Sequence, residues 1–333
     1  MNTRVCWLLF VVFAISFCAF SQAPAPAIGP TISVSGIAPG QPVKLVAYGD
    51  IRFTETTDTS DTNPRVRQFL VRAVADERPL AIFLTGDTPF IGSNPADWAI
   101  YQQETAAWKA EHLWIFPTTG NHEVKGGHEA GIANYLENFP ELKGHLYYSA
   151  QIGNVYLISL DTTQPSSPGS PQRTWFQSQL EHLPPNVDFV FILDHMPWMN
   201  DVQTQIAAGL PGADEISLRT LLEAEAPKAH AKFIVINGHI HNYERFERNG
   251  ITYLVSGGGG AKPYPVLIRG SEDLYRGPNE KAPQPHINYH YLVIQIAGKR
   301  AEFTMRRVVD PGASALALET RDHFTVVNNE QVK

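Results

Sequence analysis

Short apolar runs alternate with amphipathic stretches along most of the chain. Val43–Tyr48, Leu80–Leu84, Trp114–Pro117, Val155–Leu160, Val187–Leu193, Phe233–Ile236 and Ile251–Val255 are short and rich in β-branched or aromatic side chains, which predicts strands. Between them, Pro64–Asp76, Pro95–Glu111, Pro171–His182 and Glu215–Ala226 are predicted helices. In the first of these, Val66, Phe69, Leu70 and Val74 recur at helical spacing. Pro64 suits its first turn, where a missing N–H costs nothing. Strands alternating with helices predict an α/β protein with a buried sheet. Toward the C-terminus the pattern changes. Tyr289–Ile296 and Arg300–Val309 read as two strands joined by the tight turn Ala297-Gly298-Lys299, which predicts a second, more antiparallel sheet packed on the first.

The ends read differently. Met1–Ser21 carries Arg4, then an apolar run from Val5 to Phe20, then a small-x-small ending, the pattern of a cleaved secretory signal. Residues 22–41, rich in Pro, Ala and Gly, read as a linker with a short strand, and residues 311–333 as a C-terminal tail. Both cysteines, Cys6 and Cys18, fall in the leader, so the exported chain is expected to hold neither disulfide nor thiolate site.

Polar residues cluster where the apolar runs end. Val43–Tyr48 leads to Gly49-Asp50, Leu80–Leu84 to Gly86-Asp87, and Trp114–Pro117 to Gly120-Asn121-His122-Glu123. Val187–Leu193 leads to Asp194-His195, and Phe233–Ile236 to Gly238-His239-Ile240-His241. Ligands of open α/β sheets bind beyond the carboxyl ends of the strands, so five strands deliver Asp, Asp, Asn, His and a His-x-His pair to one edge. Taken singly, a Gly-Asp is a turn, a lone His is a core or surface side chain, and Asn121-His122-Glu123 is an Asx turn or helix cap. The ordered set is another matter, because independent turns would not each follow an apolar strand. Oxygen and imidazole donors without sulfur suit Fe, Mn or Zn. A shared carboxylate would hold two such ions together, as in two-metal hydrolytic sites.

This ordered series resembles the signature blocks of the calcineurin-like metallophosphoesterases. Asn242-Tyr243-Glu244-Arg245, Asn249-Gly250-Ile251-Thr252-Tyr253 and Gly257–Gly260 resemble the purple acid phosphatase-like branch. The resemblance implies a phosphoesterase domain over residues 42–310, a four-layer α/β-β-α sandwich of two mixed sheets flanked by helices, and a dinuclear site that hydrolyses phosphate esters by a metal-activated water. It implies Asp87 as the bridging ligand, Asp50 and His241 on the first metal, and Asn121, His195 and His239 on the second. His122 would contact the phosphate and assist the leaving group. The roughly twenty residues between leader and Val43 are too few for an added sandwich module of about 100 residues, which resembles the small single-domain form.

Two positions depart from the pattern. Arg52 stands where most members carry a His ligand, and Phe90 where the purple branch supplies a Tyr. Arginine is a poor metal ligand but its planar fork suits phosphate. Arg52 is therefore expected to bind a substrate phosphate oxygen, with a first ion that is weakly held, completed by water or replaced by the guanidinium charge. His128 and His145 are alternative sources of the missing ligand.

Weaker features complete the reading. Gly257–Gly260 reads as a flexible turn at the rim of the cleft, and Tyr243, Glu244 and Arg245 as a brace behind His239 and His241. Trp98, Tyr101 and Trp108 read as core. Loops Phe53–Asn63 and Gln164–Gln172 are expected at the same sheet edge, where they would shape substrate choice.

Composition bounds the partners. Twenty-six Lys and Arg against 33 Asp and Glu give a net charge of -7, which disfavours a stable nucleic-acid partner. After loss of the leader no membrane association is expected. The expected function is that of an exported phosphomonoesterase acting on a small phosphate ester. A phosphodiesterase or nucleotide pyrophosphatase, or a catalytically impaired phosphate-ligand-binding protein on the same scaffold, remain the alternatives.

Overall fold

The computed structural model describes residues 31–38, 40–201, 209, 211–264, 272–275 and 287–329. The leader and most of the linker lie outside these residues. Among them the strands are β1 Ile32–Val34, β2 Val43–Tyr48, β3 Ala81–Leu84, β4 Trp114–Pro117, β5 Tyr148–Ile152, β6 Val155–Ser159 and β7 Phe189–Asp194. There follow β8 Lys232–Asn237, β9 Tyr243–Arg248, β10 Ile251–Ser256, β11 His290–Ala297, β12 Arg300–Val308 and β13 Leu318–Val327. The helices are α1 Pro64–Asp76, α2 Pro95–Glu104, α3 Ala106–Ala110, α4 His128–Asn138, α5 Pro171–Glu181 and α6 Ala213–Glu225.

Two mixed sheets with flanking helices result. One has the order β1-β5-β6-β7-β8-β10-β9 and the other β13-β12-β11-β2-β3-β4. Alternation along each central strand decides how they stack. In β7, Phe189, Phe191 and Leu193 point into the layer between the sheets, while Val190 and Ile192 face the helices outside. In β8, Ile234 and Ile236 point inward, and Phe233 and Val235 outward. Successive side chains of a strand face opposite ways, so a run apolar at every position must be covered on both faces. Phe191 meets Phe83 of β3 at 5.6 Å and Phe303 of β12 at 6.2 Å between ring centroids, tying the sheets face to face. Phe176 and Leu180 of α5 and Leu218 and Leu222 of α6 cover the outer face of β7 and β8.

Three helices, α1, α2 and α5, start at a capping side chain followed by proline. The Asn63 side chain accepts from the Val66 amide at 3.2 Å ahead of Pro64, and the Ser170 side chain accepts from the Arg173 amide ahead of Pro171. Residues 95–111, expected as one helix, are two. The Thr105 hydroxyl bonds back to the Tyr101 carbonyl at 2.6 Å, and its backbone leaves the helical region at the break. Trp98, Tyr101 and Trp108 are buried, as a core role requires.

Three further differences concern edges and loops. Residues 318–327, inside the stretch read as a tail, form β13 and pair with β12 along its whole length. Helix α4 and strands β5 and β9 were not expected. Gly257–Gly260 is no flexible rim: all four residues are buried, and the Gly259 amide donates to the Gly49 carbonyl at 2.9 Å, so the segment is a strap packed across the Asp50 loop.

Candidate metal centre

The parallel strands β2, β3 and β4 in one sheet, and β7 and β8 in the other, all end at the same side of the molecule. Their connecting loops are laced together. The Asp50 amide donates to the Gly86 carbonyl and the Arg52 amide to the Asp87 carbonyl, each at 3.0 Å, which sets the first two loops side by side. The Gly238 amide donates to the His195 carbonyl at 3.0 Å and does the same for the last two. Asp50, Arg52, Asp87 and His239 all adopt positive φ, between 52° and 67°. Side chains rarely sit there, and such residues cluster where function holds them. Close approach needs glycine: a Cβ at Gly120 would lie 2.5 Å from Asp87 Oδ1, and one at Gly238 2.6 Å from Asp50 Oδ2.

The loops bring the six expected ligands and both catalytic candidates together. Asp87 Oδ1 lies 3.2 Å from His195 Nε2, which lies 3.2 Å from Asn121 Oδ1. Asn121 Oδ1 in turn lies 3.2 Å from His239 Nδ1. On the other side, Asp50 Oδ1 lies 3.6 Å from His241 Nε2, and Arg52 Nη2 lies 3.2 Å from Asp87 Oδ2. His122 sits above, its Nε2 3.8 Å from Asp87 Oδ2 and its amide donating to Asp87 Oδ1 at 3.0 Å.

Backbone carbonyls fix the rings. His195 Nδ1 donates to the Thr85 carbonyl at 2.8 Å, His241 Nδ1 to Lys262 at 2.6 Å and His122 Nδ1 to Phe90 at 2.6 Å. In the neutral ring each Nε2 then presents its lone pair to the centre. Burial is the main reason that His241 is held down to about 3 and His239 and His122 to about 4, with the Arg52 charge adding to it. These rings are neutral near pH 7. Burial, and then the charge of Asp87, push Asp50 well above the carboxylate range. Burial works the same way on Asp87, but His195, His122 and Arg52 outweigh it and hold that carboxyl low.

The result is a cluster of oxygen and imidazole ligand atoms. His195 Nε2 faces two oxygens at 3.2 Å, and His241 Nε2 is buried with no hydrogen-bond partner opposite a carboxylate. Such contacts are costly in the absence of a positive charge. Donors about 3 Å apart are what bonds of about 2.0–2.2 Å to one shared ion produce. One ligand atom each from the buried Asp50, Asp87 and His195 lies within 4.8 Å of the others. The donors thus fit a metal centre.

Residues 51–243 match the calcineurin-like phosphoesterase family. The chain belongs to that family. This calcineurin-like phosphoesterase is 24% identical over 216 residues to purple acid phosphatase 21 of Arabidopsis thaliana, a match covering 62% of this chain and 45% of that protein. The chain spans about half the length of the curated relatives it matches. Its fold is similar to that of a purple acid phosphatase from yellow lupin seeds, with a TM-score of 0.67, 15% identity, and coverage of 87% of this chain and 55% of that one. It is also similar to a dimetal phosphatase from Danio rerio, with a TM-score of 0.58, 13% identity, and coverage of 88% and 100%.

Not every expected residue joins the centre. His128 and His145 are exposed, at the start of α4 and ahead of β5, and neither appears among the buried donors. Tyr243 and Arg245 bond to Asp322 of β13 rather than to His239 or His241, and Glu244 accepts from the Asp201 amide at 2.7 Å. Sequence reasoning assigned no role to Glu123. It is fully buried and accepts from the amides of Asp87 at 3.0 Å, Gly120 at 2.6 Å and Thr88 at 2.8 Å, clamping two of the loops together. Its place in the Gly120-Asn121-His122-Glu123 block was the available signal. No described helix is long and apolar enough to cross a membrane.

Proposed function

We propose that this chain hydrolyses phosphate monoesters at a dinuclear metal centre held by Asp50, Asp87, Asn121, His195, His239 and His241. The observation that carries the reading is the row of potential ligand atoms at the strand ends, Asp87 Oδ1, His195 Nε2 and Asn121 Oδ1, each 3.2 Å from the next. When bound, Fe, Mn or Zn would supply an activated water and positive charge against the phosphoryl oxygens. The chain's own residues do the rest. Arg52 Nε is buried and has no acceptor, so a phosphate oxygen arriving beside it would complete its bonding. His122, fixed through Nδ1 on the Phe90 carbonyl, turns Nε2 toward the space above Asp87. The dianionic charge of a bound monoester raises the proton affinity of that ring, so it can pass a proton to the leaving oxygen. The acid phosphatase relatives favour the monoester over the diester. The leader pattern favours action after export as a soluble protein, with a small phosphate ester rather than nucleic acid as partner.

The test compares an aryl phosphate monoester with the corresponding diester on metal-depleted protein given Mn, Zn or Fe. The monoester is expected to turn over at least about tenfold faster in kcat/KM, and His122→Ala to lower kcat by about 10²-fold or more. Absence of turnover with every metal across the pH range, with inorganic phosphate still bound, would instead favour the phosphate-binding reading that Arg52 and Phe90 raise.

A further inference from the structure

The two halves of the centre are unequal. On one side, Asp87 Oδ1, His195 Nε2, Asn121 Oδ1 and His239 Nδ1 form an unbroken chain of contacts at 3.2 Å with no cationic side chain among them. On the other, Asp50 and His241 stand 3.6 Å apart, and Asp87 Oδ2, on the carboxylate that would be shared between the halves, is paired with Arg52 at 3.2 Å. The guanidinium is not there by accident of a loose side chain. Its backbone is pinned by the Asp87 carbonyl at 3.0 Å and by Arg67, which donates to the Arg52 carbonyl at 3.1 Å and is itself paired with Glu104 at 2.7 Å. The Arg52 side chain is only 12% exposed.

We infer that Arg52 competes with a cation for Asp87, so that the centre holds one ion tightly and admits a second, beside Asp50 and His241, only as the guanidinium leaves. This rests on the reading of the site as a metal centre. Charge and donor count point the same way. The side of His195, Asn121 and His239 offers four protein donors with Asp87, and the contested side two plus a shared oxygen, where a cation binding Asp87 would meet the positive charge of Arg52 on the same carboxylate. Phosphate relieves the conflict. Its oxygens can take the Arg52 fork, including the Nε that has no acceptor, and in doing so release Asp87 Oδ2. Phosphate and the second ion should therefore tighten each other's binding, since coupling between two ligands is reciprocal.

The experiment titrates Mn²⁺ into the metal-depleted full chain, counting bound ions by equilibrium dialysis and reading spin coupling by electron paramagnetic resonance. The expected result is one ion retained and a second bound about 100-fold more weakly, its arrival marked by an exchange-coupled signal. Arg52→Met should tighten the second ion at least about tenfold and leave the first within about threefold, and inorganic phosphate should tighten the second in the unaltered protein. Two ions of equal affinity in the unaltered chain would overturn the inference, as would an unchanged second affinity both in Arg52→Met and with phosphate. Failure to bind any ion would instead overturn the metal-centre reading beneath it. The unaltered protein with and without phosphate decides the matter even where the variant does not fold.

Discussion

Glu123 shows how much of the centre is held by a residue that touches no candidate ligand side chain. Its two oxygens take three amides from the loops after β3 and β4, so the positions of Asp87 and Asn121 depend on one another through this carboxyl. Burial and the Asp87 charge push Glu123 up to about 8, against the pull of the three amides. Glu123→Gln keeps the shape but turns one acceptor into an NH₂ donor that faces amide donors. Losing one or two buried bonds this way should lower stability by about 2–4 kcal/mol. Urea unfolding measures the loss, and a variant within about 0.5 kcal/mol of the parent would show that the clamp is not structural. The asymmetry with the ligands is instructive. That the candidate ligands Asp50, Asp87, Asn121, His195, His239 and His241 meet was legible because each follows an apolar strand, and strand ends converge. Glu123 shares a block with Asn121, yet what it does depends on backbone amides of residues 35 and 36 positions away, which no local pattern encodes. The carbonyls of Thr85, Phe90 and Lys262, which orient three of the rings, were invisible for the same reason.

Among the elements, legibility follows burial. Every one of the seven strands expected from an apolar run is present, and the central ones are apolar throughout because they are covered on both faces. Two edge strands, β9 and β13, escaped notice. In β9 the sequence Tyr-Glu-Arg-Phe-Glu-Arg ends in two exposed residues, and β13 runs through the polar stretch Glu-Thr-Arg-Asp-His with positions that are mostly half-exposed. These two edges are joined by side chains rather than by a ladder: Asp322 of β13 accepts from Arg245 Nε at 2.7 Å and from the Tyr243 hydroxyl at 2.9 Å, both on β9. Asp322→Ala should remove the acceptor shared by a mostly buried guanidinium and the hydroxyl of the buried Tyr243, at a cost of about 1–3 kcal/mol. Hydrogen exchange is the discriminating readout, since loss of this tie should raise exchange in β9 and β13 while β7 and β8 keep their protection. Uniform protection across all four strands would mean that the edges are held by something else.

At the scale of the whole molecule, the two sheets must stay in register for their loops to meet, and His290 is one of the groups that joins them near the site. It opens β11 in one sheet, and its Nε2 lies 3.0 Å from the Ser256 hydroxyl at the end of β10 in the other, while Nδ1 lies 2.9 Å from the Asn288 carbonyl. It is fully buried, and burial holds it down to about 4, partly opposed by the Asn288 carbonyl and assisted by the Arg307 charge. In the unfolded chain the same ring titrates near about 6.5. Near pH 7 both states leave it mostly neutral and it contributes no pH dependence. As pH falls below about 6.5 the unfolded state takes up a proton that the folded state refuses, so stability drops until about pH 4, where the folded ring also protonates. The full shift is worth roughly 3 kcal/mol. His290→Gln retains a donor and an acceptor but cannot titrate, so it should cost about 1–2 kcal/mol at pH 7 while removing most of that acid-side loss. Unfolding free energies at pH 7.0 and 4.5, measured on the parent and the variant in the presence of a chelator, give the comparison. Parallel pH dependence in the two proteins would show that the acid sensitivity of the inter-sheet junction lies elsewhere.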